Sequence, residues 1–169
     1  MSPIAEHERL EVLVGRWKTE GSTREDPSRP GAVIEATDTY EWLPSGFALL
    51  HSVDAYVGDE KVDGAEIIGY DPMRGGFITQ YFGSDGPTAY EATLEEDAAT
   101  LVWRMRSDTT RFAGTFTADR NTITGRWERL DADSVWQPWM DITLKRLARG
   151  WAAARVKGAW RDEQDSRDE

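Results

Sequence analysis

The chain predicts an all-β fold, a closed antiparallel up-and-down barrel of about ten strands, and three observations carry that expectation. From Gly15 to Leu147 the side chains alternate apolar and polar with the two-residue period of a strand. The alternating runs are joined by short links rich in Gly, Asp, Asn, Ser and Pro, the residues that turns favour. No helical segment long enough for a parallel crossover lies between them. An antiparallel meander of this length either closes or leaves long open edges, and closure is the better solution.

The elements follow in order. Residues 3–14 predict a short helix, with Pro3 at its first position, Leu10, Leu13 and Val14 on one face, and Gly15 as its stop. It is too short to stand alone and would cover one end of the barrel. Strands are expected at Arg16–Gly21, Val33–Leu43, Phe47–Val57, Ala65–Asp71, Phe77–Gly83, Thr88–Leu94, Leu101–Met105, Arg111–Thr117, Thr122–Arg129 and Val135–Leu147. The polar connection from Ser22 to Gly31, with two prolines, exceeds a tight hairpin turn and would lie over the barrel mouth. Residues 1–147 thus form one barrel domain with its helix, and 148–169 a C-terminal extension. In the extension Trp151, Ala154, Val156 and Trp160 have the spacing of a short helix that would pack outside the barrel, followed by a charged end.

Composition narrows the function. A net charge of −11 disfavours nucleic acid, whose phosphates need Lys and Arg, and equally an anionic membrane surface. With no cysteine, disulfides, thiolate catalysis and thiolate-held metals are excluded. The N-terminal segment lacks the basic start and apolar run of a signal peptide, and nothing approaches the roughly 20 apolar residues of a membrane span. The cytoplasm is the expected location. Eight tryptophans suggest large flat interior contacts.

One stretch organises the candidate site. Tyr40-Glu-Trp-Leu-Pro-Ser-Gly-Phe-Ala-Leu-Leu-His51-Ser-Val-Asp54 folds back at Pro44-Ser45-Gly46, and its second limb carries the only histidine outside the N-terminal segment. Alternation puts Phe47, Leu49, His51, Val53 and Ala55 on one face, and Ile34, Ala36, Asp38, Tyr40 and Trp42 on the inward face of the preceding strand. An inward Asp38 needs a partner, which His51 or Tyr81 would supply. Late in the chain the inward sets are Leu101, Trp103 and Met105; Phe112, Gly114 and Phe116; Ile123, Gly125 and Trp127; and Trp136, Pro138, Met140, Ile142 and Leu144. Along 65–71 and 77–83 both faces are apolar and parity is open.

A ten-stranded ring is wider than an eight-stranded one and harder to fill, which favours a cavity over a solid core. Its candidate ligand-binding set is His51, Asp38, Tyr40, Trp42, Tyr81, Tyr90, Trp103, Trp127 and Trp136, suited to a flat, mostly apolar molecule with one polar end. The expected function is an intracellular binding protein for a small hydrophobic or aromatic ligand. The alternatives are an enzyme in which His51 moves a proton on a bound molecule, and a haem barrel with His51 as a non-standard ligand. A filled barrel acting through its outer surface, as a homodimer, is the plainest reading. No catalytic residue is assigned, and one interior histidine without cysteine does not make a zinc site. No phosphate-binding loop, dinucleotide fingerprint or nucleophile elbow is present.

Two resemblances support the fold. Gly15-Arg-Trp17 opening the first strand, with Arg146 near the end of the last, resembles the calycins, the superfamily of lipocalins and fatty-acid-binding proteins. The likeness implies that the Arg146 guanidinium packs on Trp17 and closes one barrel end, a contact worth about 0.5–2 kcal/mol. Leu13-Val-Gly-Arg-Trp17, Tyr40-Glu-Trp-Leu-Pro-Ser-Gly-Phe47, His51-Ser-Val-Asp54, Glu66-Ile-Ile-Gly-Tyr-Asp71, Asn121-Thr-Ile-Thr-Gly-Arg-Trp127 and Trp139-Met-Asp-Ile-Thr143 resemble a bacterial calycin-like family of unknown function, over roughly residues 8–147. A more distant similarity is to the nitrobindins, ten-stranded haem-binding barrels whose proximal histidine lies near the C-terminal end of the barrel. The final strand here, Trp136 to Leu147, has no histidine, so a haem ligand would have to come from another wall.

Overall fold

In a computed structural model that describes residues 4–25 and 30–148, ten antiparallel strands close into a barrel in which each strand pairs with its neighbours in sequence and β1 pairs with β10. The strands are β1 (Gly15–Thr23), β2 (Val33–Trp42), β3 (Ala48–Val57), β4 (Glu60–Asp71), β5 (Gly76–Gly83), β6 (Gly86–Glu96), β7 (Leu101–Arg106), β8 (Thr110–Phe116), β9 (Thr122–Leu130) and β10 (Trp136–Arg146). All ten coincide with expected runs, and closure leaves no unpaired edge. The helix is split: α1 (Ala5–Glu8) passes into a 3₁₀ turn over Arg9–Val12. The C-terminal helix expected around Trp151 and Trp160 lies outside the described residues. No described helix is long and apolar enough to cross a membrane.

The N-terminal segment closes one end. Leu10 and Leu13 are fully buried against Trp17, whose Nε1 donates to the Leu13 carbonyl at 2.8 Å. The Arg146 guanidinium stacks 4.0 Å from the Trp17 ring and donates to the carbonyls of Val12, Val14 and Arg120. One planar cation therefore ties the start of the chain, the last strand and the β8–β9 turn to a single indole. Gly15 sits beside it at φ +129°, a conformation that favours glycine, and an added Cβ would lie 3.1 Å from Arg146 Nη1. Arg146→Ala is expected to cost about 2 kcal/mol in denaturant unfolding, and Arg146→Lys to recover little of it, because a point charge cannot serve three carbonyls and a ring face together.

The barrel interior is not uniform along its axis. Toward the closed end, Trp17, Leu49, Ile68, Phe77, Leu94, Leu101, Trp103, Phe116, Ile123 and Leu144 form a packed, buried core. Toward the other end, inward positions such as Ala36, Val53, Gly64, Tyr81, Tyr90, Trp127 and Met140 are only partly buried. That end carries the turns between β3 and β4, β5 and β6, β7 and β8, and β9 and β10, and the β1–β2 connection.

Aromatic rings on this side lie flat on glycines. A Cβ on Gly83 would meet Tyr81 Cε1 at 2.6 Å, one on Gly64 would meet Tyr81 Cζ at 2.5 Å, and one on Gly125 would meet Phe112 Cε2 at 2.5 Å. Missing side chains in three strands thus let two rings lie close against the wall.

One register departure matters for function. Between Pro138 and Met140 the pairing of β10 with β9 shifts by one residue. A bulge adds a residue and reverses the parity of everything beyond it. Met140, Ile142 and Leu144 face inward as expected, but Trp136 and Pro138 lie opposite Leu130 and Glu128 and face outward. The ring of Trp136 sits under the guanidiniums of Arg111 and Arg106, at 4.6 and 5.6 Å, on the outer surface. The expected inward Trp136 is therefore corrected: it belongs to a surface cation–aromatic stack.

Candidate functional site

Where packed and open halves meet, five inward polar side chains cross the barrel wall from β1 to β5. The two-residue turn Gly58–Asp59 sets Val57 opposite Glu60, and that register brings His51 opposite Glu66. In the neighbouring pair Tyr40 lies opposite His51 and Asp38 is its diagonal neighbour. His51 Nδ1 is 3.0 Å from Glu66 Oε2, and His51 Nε2 is 2.8 Å from Asp38 Oδ1. The outer oxygens are also served: Thr79 Oγ1 donates to Glu66 Oε1 at 2.5 Å, and Thr19 Oγ1 donates to Asp38 Oδ2. The Tyr40 ring stacks on the imidazole with centroids 4.0 Å apart and planes 6° from parallel.

These five polar side chains are buried and bonded to one another. Exposure runs from 3% at Thr79 to 9% at His51. Among the described residues no sealed side-chain polar atom lacks a partner, as burial of charged groups requires. Two hydrogen bonds between one imidazole and two carboxylates need two protons. Three such groups holding two protons carry one net negative charge, whichever atoms the protons occupy. Burial alone would lower the His51 pKa, but hydrogen bonds to Asp38 and Glu66 and their charges overcome it, and the imidazole is pushed up to about 9. Burial, with the charges of Asp38 and Glu66, raises the Tyr40 phenol well above its ordinary value and keeps it neutral. Burial also raises Tyr81 and Tyr90, with Glu66 contributing to both.

The expected site residues divide. His51, Asp38 and Tyr40 come together in the polar layer, and Tyr81, Tyr90 and Trp127 line the open half above it. Tyr90 packs edge-on to Trp127 at 5.8 Å, and Thr110 Oγ1 donates to its hydroxyl at 3.4 Å. Trp42 stands apart at the closed end, where its Nε1 donates to Glu11 Oε2 at 2.7 Å, and Trp103 is buried beside Phe77 in the packed core. Trp136 is outside. The partner anticipated for Asp38 is His51, not Tyr81. Sequence reasoning did not place Glu66, Thr79 or Thr19 in the site. The signal for Glu66 was available, since a two-residue turn at Gly58–Asp59 fixes its parity.

His51 has both ring nitrogens directed at carboxylates, so neither offers a lone pair to a haem iron or to a proton on a bound molecule. A His51-ligated haem and His51 as a proton-transfer group would each require one of these bonds to break. Among the described residues no group of three or more His, Asp or Glu side chains is arranged to hold a metal ion.

The two apolar faces of β4 and β5 are also explained. Glu66, Ile68, Thr79 and Tyr81 point inward, while Ile67, Ile78 and Phe82 are exposed on the outer wall. A groove of about 910 Å³ runs over that wall beside Arg74 and the β7–β8 turn, separate from the polar layer. Its Arg74 is already paired with Asp71 and Glu91, at 3.4 and 2.7 Å.

A closed ten-stranded barrel with a helical plug and an arginine on its opening tryptophan is a calycin-like fold. The chain belongs to the family described as "Protein of unknown function (DUF1579)", which it matches over residues 2–146. Among solved structures it is similar to Rv2717c from M. tuberculosis, at 10% identity and a TM-score of 0.68, covering 85% of this chain and 98% of that one. It is similar also to the S-type phycobiliprotein lyase CPES from Guillardia theta, at 14% identity and a TM-score of 0.55, covering 86% and 98%. At these identities the likeness is one of fold. No curated protein matches the chain in sequence.

Proposed function

We propose that the protein binds a small, flat, mostly apolar molecule in the open half of its barrel, with the polar layer as the floor of the site. The carrying observation is the contrast along the axis: the inward Tyr81, Tyr90 and Trp127 are partly exposed on one side of the buried polar layer, whereas Trp17, Phe77, Trp103 and Phe116 are buried on the other. Tyr81, Tyr90 and Trp127 supply flat walls, and the glycine bed under Tyr81 keeps that ring out of the axis. The floor supports binding over catalysis because every oxygen and nitrogen of its His51, Asp38 and Glu66 side chains is already engaged within the layer. A cytoplasmic setting accords with the absence of cysteine, since nothing in the chain depends on an oxidising compartment.

Calorimetric titration with 1-naphthalenemethanol tests this reading. One saturable site per chain is expected. Gly64→Val, which forces the Tyr81 ring into the cavity, should weaken it by roughly tenfold or more, as overpacking does in an interior without slack, while the barrel stays folded by circular dichroism. Absence of saturable uptake by the wild-type protein would defeat the proposal.

A further inference from the structure

The charge of the floor and the chemistry of the walls together say which end of a ligand goes in first. The Asp38–His51–Glu66 layer carries one net negative charge by proton count, and its members are at most 9% exposed, so water screens that charge poorly. The nearest inward positions above it hold no cation. Among the described residues, the arginines with inward register are Arg129 at the mouth and Arg146, which is held beneath Trp17 at the closed end.

A second, independent feature lies in the layer itself. Tyr40 is 8% exposed and its ring is fixed by the stack on His51, yet its hydroxyl has no hydrogen-bond partner among the described residues. It is not among the sealed polar atoms either, so it retains some accessible surface. Alternation along β2 aims it into the barrel, and a phenol held neutral there is a ready partner for a polar group arriving from above.

We infer that the molecule held in the open half is a flat aromatic amine or protonated nitrogen heterocycle, inserted with its nitrogen toward the Tyr40 hydroxyl and the negatively charged layer. This rests on the binding role proposed above and sharpens it. The cation gains from the charge below and from the faces of Tyr81, Tyr90 and Trp127 around it. A carboxylate or sulfonate on the same ring system, placed against the layer, meets like charge in a poorly screened site whose nearest inward positions hold no cation. The selectivity is thus the reverse of that of a pocket built for acidic lipids.

A matched set of probes separates the two levels of the argument. 1-Naphthylmethylamine, 1-naphthalenemethanol and 1-naphthylacetate share a ring system and differ in charge, and each is titrated calorimetrically into the full chain at pH 7. The amine is expected to bind most tightly, and the acetate at least about tenfold more weakly than the amine, the scale of one charge pair across a partly screened interior. Glu66→Gln, which removes the layer's net charge, should bring the amine and acetate to within about threefold of each other if the variant folds. The wild-type comparison decides the matter whether or not it does. Binding of all three without preference, or preference for the acetate, overturns the charge assignment and leaves the pocket standing. Failure of all three to bind overturns the pocket as well.

Discussion

Replacing His51 with leucine is expected to destabilise the protein by about 3–5 kcal/mol, the usual result of removing one partner from a buried, hydrogen-bonded charge group. The imidazole is the only group bonded to both carboxylates, at 2.8 and 3.0 Å, and each of those carboxylates keeps only one threonine donor when it goes. The two acidic side chains, on β2 and β4, would then face one another across the buried gap left on β3, and one would have to take up a proton to stay. For a domain of this size the loss corresponds to a melting temperature lower by roughly 10–15 °C. Adding Asp38→Asn and Glu66→Gln to the same variant should recover part of the loss, because the buried charges leave with the imidazole. Chemical denaturation of the three proteins checks the order; a His51→Leu protein as stable as the wild type would show that the layer is not bonded as described.

Stability should also fall as the solution is made mildly alkaline. The folded-state pKa of His51, about 9, lies above the 6.5 of a free imidazole, so the native state binds the proton more tightly than the unfolded chain. The stabilisation is therefore complete below pH 6.5, declines above it, and is gone once the pH passes about 9. The shift corresponds to a loss on the order of 3 kcal/mol, read as a falling denaturant midpoint between pH 6 and 9.5. The Tyr40 phenol acts in the same direction but titrates higher still, so the window below pH 9.5 belongs mainly to His51. In the variant that combines His51→Leu with Asp38→Asn and Glu66→Gln, which keeps none of the three titrating groups, the decline across that window should be absent.

The fold was legible because most strands alternate cleanly and because turn residues punctuate them. The parity of β2 and β3 followed from Asp38, Tyr40, Leu49 and His51 without ambiguity. Two parts of the site were not legible, each for a definite reason. In β4 and β5 the outer wall is apolar as well as the inner, so composition gives no parity. There only the tight turn at Gly58–Asp59 determines that Glu66 meets His51. In β10 the period itself is broken, and the alternation of Trp136 with Met140 is carried by one extra residue that hydropathy does not show. Pro138, which cannot donate in a ladder, was the clue. Tyr81 and Phe112 illustrate a third limit: that they lie against Gly64 and Gly125 depends on cross-strand neighbours, not on their own strands.

The account stands on one imidazole shared by two carboxylates at the floor of an open half-barrel. Long-range ¹H–¹⁵N correlation of the histidine rings at pH 7.5 reads that directly. Two protonated ring nitrogens on His51, in slow exchange with solvent and persisting until the pH nears 9, are the expected result. A neutral His51 ring with one unprotonated, pyridine-like nitrogen at pH 7.5 would contradict the doubly protonated imidazole shared between two carboxylates.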